Sequence, residues 1–157
     1  MTNDYLATIL SNTYTISQLK HRILILKDYL QETLFGGAKK TDLANEDTLW
    51  LNSLPKDFLQ KFTKDNTYDI FASLEKEAGL IKTLTMYLTF EPDSTPLTQI
   101  GTRAKTLFPV LLDIKYDPKL IAGTALVWNG VYKDYSLHSK IEQKNSEILE
   151  SFKKFLR

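Results

Sequence analysis

Any metal ligation or proton transfer in this sequence would fall to its two histidines, His21 and His138, and to carboxylates such as Asp113, Asp117, Asp134 and Glu142. A metal site needs several ligands converging from fixed spacings, and a general base needs a neighbour that orients it. His21 stands between Lys20 and Arg22 on the polar side of a helical pattern and reads as a solvated side chain. His138 falls in the first turn of the last helix, with no ligand partner at motif spacing. Asp117 precedes a proline, a common turn opener, and Asp134 stands where it could cap the final helix. The chain has no cysteine, so thiolate metal sites and disulfides are excluded. Gly123 and Gly130 do not build a phosphate-cradling loop, because neither GxGxxG nor GxxxxGK[ST] occurs. The expectation is a chain with no catalytic residue, no cofactor and no metal.

Binding chemistry is the remaining class. Eight tyrosines and eight phenylalanines leave aromatic surface to spare. Aromatic and basic residues interleaved on a sheet face can stack the bases of single-stranded RNA. Here that face would carry Thr83, Thr85, Tyr87 and Lys115, which also describes an ordinary solvated sheet face. A net charge of +1 gives no strong electrostatic footprint for nucleic acid. No apolar run approaches the roughly 20 residues of a membrane-spanning helix. The first residues lack the basic and apolar regions of a signal peptide. An intracellular protein, reaching a membrane only through a partner, is expected.

The elements that would position such surface divide at residue 80. In the first part, Ile16, Leu19, Ile23, Leu26, Leu30 and Leu34 recur at spacings of three and four, the stripe of an amphipathic helix. Thr15 or Ser17 would cap it, and Gly36-Gly37 would close it. A short helix over Asp4 to Leu10 precedes it, and a polar loop runs from Gly36 to Asn45. Further helices are expected over Glu46 to Leu54, from Pro55 with Phe58, Leu59 and Phe62 on one face, and over Thr67 to Ala78, ended by Gly79.

After residue 80 the period changes. Lys82 to Phe90 alternates strictly, with Leu84, Met86, Leu88 and Phe90 on one face, which predicts a half-buried strand. Pro96 to Phe108 returns to helical spacing and Pro109 ends it. Val110 to Tyr116, Thr124 to Trp128 and Val131 to Tyr135 read as strands, the last two joined by Asn129-Gly130, a strong hairpin signal. A helix of about twenty residues starts at Ser136, with Leu137, Ile141, Ile148, Phe152 and Phe155 on one stripe. The fold class is therefore α+β: an N-terminal helical bundle over 1–80, followed by a small β-α-β-β-α domain over 81–157. Both long amphipathic helices carry apolar stripes that a partner helix could use, and Phe152 and Phe155 are the stronger candidates.

The run Asp117-Pro-Lys-Leu-Ile-Ala-Gly123, the hairpin Thr124 to Tyr135 and the helix-opening Asp134-Tyr-Ser-Leu-His138 resemble the C-terminal domain of the delta subunit of F-type ATP synthase. In mitochondria this family is called the oligomycin-sensitivity-conferring protein. The family shows an acidic residue before a Leu-Ile-Gly-Gly turn, a hairpin, and an Asp-Gly-Ser-Val-Arg helix opening. The matching residues are Asp117, Leu120, Ile121, Gly123, Asp134 and Ser136, and the preceding strand and helix extend the resemblance over roughly 80–157. Ala122 and Tyr135 stand where the family has glycine, and His138 where it has arginine. Tyr5-Leu-Ala-Thr-Ile echoes the family's opening Tyr-Ala-x-Ala-Leu. The resemblance implies a divergent bacterial member and a non-catalytic role in proton-driven ATP synthesis. Such a stator subunit would sit peripherally at the cytoplasmic face of the cell membrane. Its helical domain would bind the N-terminal helix of alpha subunits, a contact expected to include Ile16, Leu19, Ile23, Leu26 and Leu30. Its C-terminal domain would hold the C-terminal helices of the b subunit, through Phe152 and Phe155. A small α+β adapter or single-stranded RNA-binding module is the alternative.

Overall fold

A computed structural model of the chain describes residues 2–36, 43–107 and 110–155. The chain divides into two compact units, Met1–Ile81 and Lys82–Arg157.

The first unit holds five helices among its described residues: α1 (Thr2–Leu10), α2 (Ile16–Phe35), α3 (Asn45–Ser53), α4 (Lys56–Gln60) and α5 (Thr67–Gly79). Helix α2 is the longest, and its start is written in the sequence. The Thr15 hydroxyl accepts from the Gln18 amide while the Gln18 side chain accepts from the Thr15 amide, a reciprocal box that satisfies two otherwise orphaned donors. Gly36 closes the helix with φ 74°, a conformation that costs a residue with a Cβ but not glycine. Gly37, most of the expected loop to Asn45, Phe108 and Pro109 lie outside the described residues.

The stripe of α2 faces inward. Leu19, Ile23, Ile25, Leu26 and Leu30 are buried, and α2 packs against α1, α3 and α5. With Ile9 and Leu74 they form the centre of the core, where each fully buried leucine or isoleucine contributes on the order of 2 kcal/mol of transfer free energy. A ring cluster closes one side of the unit: Phe62 packs against Tyr5, Phe58 and Phe71 at centroid distances of 5.2, 5.4 and 5.9 Å. Phe62 lies beyond the end of α4 rather than on its face, yet is buried. Pro55 sits at the N-cap of α4, one position earlier than expected, and its carbonyl accepts the Phe58 and Leu59 amides. Gly79 is the last residue of α5 and has no positive φ.

The second unit is a four-stranded mixed sheet with helices. Its strands are β1 (Thr83–Leu88), β2 (Leu111–Tyr116), β3 (Thr124–Trp128) and β4 (Val131–Asp134), in the order β2-β1-β3-β4. Strands β1 and β2 are parallel and linked through α6 (Ser94–Leu107), while the remaining pairings are antiparallel. The protein is thus α+β, as the periodicity predicts. Strand β1 is shorter than expected: Leu88 pairs with both Tyr116 and Thr124, the Asp117 amide caps its carbonyl, and no partner strand continues past it. Phe90 is consequently exposed instead of belonging to the buried face.

The expected single terminal helix is two helices, α7 (Leu137–Gln143) and α8 (Asn145–Phe155). Lys144 breaks the run with φ −104° and ψ 10°, and α8 restarts on Asn145-Ser146, two residues that favour caps over helix interiors.

Candidate functional site

The turn between β2 and β3 is built by local backbone chemistry. The Asp117 side chain accepts the Lys119 amide at 3.0 Å and opens a 3-10 turn over Pro118–Leu120. Leu120 is buried beneath it. The chain then reverses at Ile121 (φ 65°, ψ −56°), where the Ala122 amide donates to the Leu120 carbonyl at 2.7 Å. This is a γ-turn of the rare hand, and it carries a β-branched residue that disfavours positive φ. Gly123 follows with φ 90°, tucked so close to the next segment that a Cβ would stand 2.7 Å from the Tyr135 carbonyl oxygen.

Two further bonds lock this turn to the start of α7. The Leu137 amide donates to the Ala122 carbonyl at 2.8 Å, and the Tyr135 amide to Thr124 at 2.9 Å. Ser136 is fully buried; its hydroxyl caps α7 by accepting the Ser139 amide at 3.2 Å. Asp134, expected as a cap, acts one step earlier: it accepts the Ser136 amide at 2.7 Å and the Tyr132 hydroxyl at 3.2 Å. Hydrogen bonds from the side chain and amide of Ser136 hold the Asp134 carboxyl below the usual carboxylate range. The hairpin turn takes positive φ at Asn129 (48°) and Gly130 (79°), the signature of a type I′ turn. Ala122 and Tyr135 have no positive φ, so neither needs to be glycine. The structure therefore brings Asp117, Leu120, Ile121, Gly123, Asp134 and Ser136 together as one junction. That junction is a frame: it holds hydrogen-bonded turns, with no nucleophile–base pair.

The histidines are far apart in chemistry as in sequence. His21 Nε2 lies 3.2 Å from both carboxylate oxygens of Asp47 on the surface of the helical unit. His138 Nε2 lies 3.7 Å from Glu142, its i+4 neighbour. Among the described residues no group of three or more His, Asp or Glu side chains could hold a metal. Arg22 was not singled out by sequence. It donates to the Thr13 hydroxyl at 2.8 Å and lies 5.1 Å from the Trp50 ring, with burial pushing its guanidinium down from its ordinary value. Its surroundings tie α2 to α3 and mark it as structural.

The sheet face considered for RNA is also on view. Strand register places Thr85, Tyr87, Asp113, Lys115, Tyr132 and Asp134 on one face. Lys115 Nζ lies 3.5 Å from Asp113 and 5.9 Å from the Tyr87 ring. The two carboxylates oppose a phosphate backbone, and the lysine is already engaged.

The two candidate docking stripes part company here. Leu19, Ile23, Leu26 and Leu30 are buried inside their own unit and Ile16 is half-buried, so the α2 stripe presents little surface to a partner. The expectation that this stripe contacts another chain is corrected: α1 and α5 already cover it. Helix α8 is the opposite case. It has no buried residue and packs on α7 alone among the elements it touches appreciably. Phe152 is 62% exposed and Phe155 89%, with Ile148 and Leu149 exposed beside them. Leu137 and Ile141 continue the apolar surface on α7. Leu149 escaped the sequence reading because it sits at the stripe's edge, one residue after Ile148. Among the described residues no helix is long and apolar enough to cross a membrane. No protein-family model matches the sequence, and a comparison with curated proteins finds no match.

Proposed function

We propose that this chain is a non-catalytic docking subunit that presents α7 and α8 to a helix of another chain. More specifically, we propose that it serves as a peripheral-stalk subunit of an F-type ATP synthase. The observation that carries the docking reading is the apolar face of α8, which leaves Phe152 and Phe155 in water when a soluble unit gains by burying such rings. The stalk assignment rests on the resemblance of the Asp117 to His138 junction, which folds as a rigid support directly before those helices.

In this reading α7 and α8 hold the C-terminal helices of the b subunit. The helical unit binds the N-terminal helix of an alpha subunit through its outer side chains, such as Leu24, Phe35 and Tyr68, which are exposed. The work is mechanical: the contacts resist rotor torque, and no bond is made or broken. The protein would then sit peripherally at the cytoplasmic face of the membrane, carried there by its partners.

Isothermal titration of the full chain against synthetic alpha N-terminal and b C-terminal helices tests it. Binding of both is expected. Absence of heat with both at protein concentrations on the order of tens of micromolar would exclude the stalk role.

A further inference from the structure

The lysines and glutamates of α7 and α8 are not mixed at random around the apolar surface. On a helix, residues three or four apart are neighbours. By that rule Lys140 borders Leu137, Lys144 borders both Ile141 and Ile148, and Lys153 borders Leu149. None of Glu142, Glu147 and Glu150 lies three or four residues from any of these apolar side chains or from Phe152 and Phe155. The apolar row is bordered chiefly by lysine, and the glutamates stand further round the helices, Glu147 beside Lys144 and Glu150 three residues before Lys153. All of these side chains are exposed. The pairing of Lys144 with Glu147, at 3.8 Å and on the surface, is weak enough to be exchanged for a better partner.

From this pattern we propose that the occupant of the α7–α8 face is an amphipathic helix of another protein whose own apolar stripe is bordered by glutamate or aspartate. The inference rests on the docking reading above and adds the partner's chemistry to it. Leucine- or isoleucine-type side chains would pack on Ile148, Leu149, Phe152 and Phe155, while carboxylates at the rim meet Lys140, Lys144 and Lys153. Such a rim contributes specificity and rate of encounter more than affinity. A second copy of this chain fits poorly, since it would bring a lysine rim against a lysine rim. An anionic lipid surface also fits poorly. Interfacial helices carry a polar face rich in Lys and Arg, whereas in α8 Glu147 and Glu150 balance Lys153 and Lys154.

The test uses the full chain and two fluorescein-labelled synthetic helical peptides that share one leucine stripe. One carries glutamate at every rim position and the other lysine. Anisotropy titrations should show the glutamate-rimmed peptide binding about tenfold tighter at low salt, with the gap closing as salt is raised. The variant K140E/K144E/K153E should exchange the preference, and circular dichroism checks that it remains folded. Equal affinity for both peptides would overturn the inference while leaving the docking reading in place. Failure of both peptides to bind would overturn the inference and the docking reading together, and tighter binding of the lysine-rimmed peptide would overturn the inference alone. Flotation with phosphatidylcholine/phosphatidylglycerol vesicles, or a dimer in sedimentation that the triple variant abolishes, would overturn the inference in favour of a lipid surface or a second copy.

Discussion

Replacing Gly123 with alanine should lower the melting temperature of the α+β unit and leave that of the helical unit unchanged. Two costs add at this position. A residue with a Cβ at φ 90° gives up on the order of 1–2 kcal/mol of backbone strain. The new Cβ would also lie 2.7 Å from the Tyr135 carbonyl oxygen and 3.0 Å from the Ser136 Cα, both backbone atoms that cannot swing aside. Forcing them apart adds about 1–3 kcal/mol. Alanine recovers about 0.4–1 kcal/mol by restricting the unfolded chain, which leaves a net loss near 2–4 kcal/mol. For a unit of this size that corresponds to a fall in melting temperature on the order of 10–20 °C. Each unit carries one tryptophan, Trp50 in the helical unit and Trp128 in β3, so W50F and W128F backgrounds let fluorescence follow each unit separately. Gly130→Ala is the internal control: φ is 79°, but nothing lies within 4 Å of the new Cβ, so only the strain of about 1 kcal/mol should appear. If Gly123→Ala costs no more than Gly130→Ala, the close packing of the turn on the start of α7 is wrong.

Truncating Phe152 and Phe155 together to alanine should change stability by less than about 0.5 kcal/mol, whereas Leu26→Ala should cost about 2–5 kcal/mol, both read by urea denaturation. Equal losses would mean that α8 belongs to a core. Ile121→Gly should stabilise the α+β unit by about 1 kcal/mol, because glycine relieves the positive φ and the side chain is 57% exposed; a lower melting temperature in differential scanning calorimetry would contradict this. Asp134 is held below its usual range by Ser136, so its stabilising contribution is complete above about pH 4 and disappears as pH falls through the lowered pKa. Asp134→Asn should therefore flatten the acid limb of the stability–pH curve of this unit, and an unchanged acid limb would sink the assignment.

Much of the junction is legible because its signals are local. Asn129-Gly130 specifies a type I′ turn whatever surrounds it, and Thr15 with Gln18 specifies a helix start by bonds within four residues. Ser136 likewise sits where a cap belongs. What escaped depends on partners distant in sequence. Nothing near Leu88 ends β1; it ends because Tyr116 and Thr124 are its last partners. Ile121 carries no turn signal, and its positive φ is imposed by the bonds that join Ala122 to Leu120 and to Leu137. The break at Lys144 is invisible to periodicity, since Ile141 and Ile148 are seven residues apart and keep helical phase across it.

The two apolar stripes show why pattern alone could not place the proposed docking surface. Leu19, Ile23, Leu26 and Leu30 recur at spacings of three and four, and Ile141, Ile148, Phe152 and Phe155 at spacings of seven, four and three that keep the same helical phase, so period distinguishes neither. Coverage does: the residues of the first stripe are buried beneath other helices, whereas α8 packs appreciably on α7 alone and Ile148, Phe152 and Phe155 stay exposed. The charges beside each stripe carry the remaining difference. Of the ionisable residues next to the α2 stripe, Arg22 is drawn into the unit by Thr13 and Trp50. The lysines beside the α7–α8 row stay in water, along an apolar edge that is itself exposed. A helix that contributed only to its own unit would gain by burying two phenylalanines. Their exposure beside Lys140, Lys144 and Lys153 is the feature on which the proposed docking surface rests.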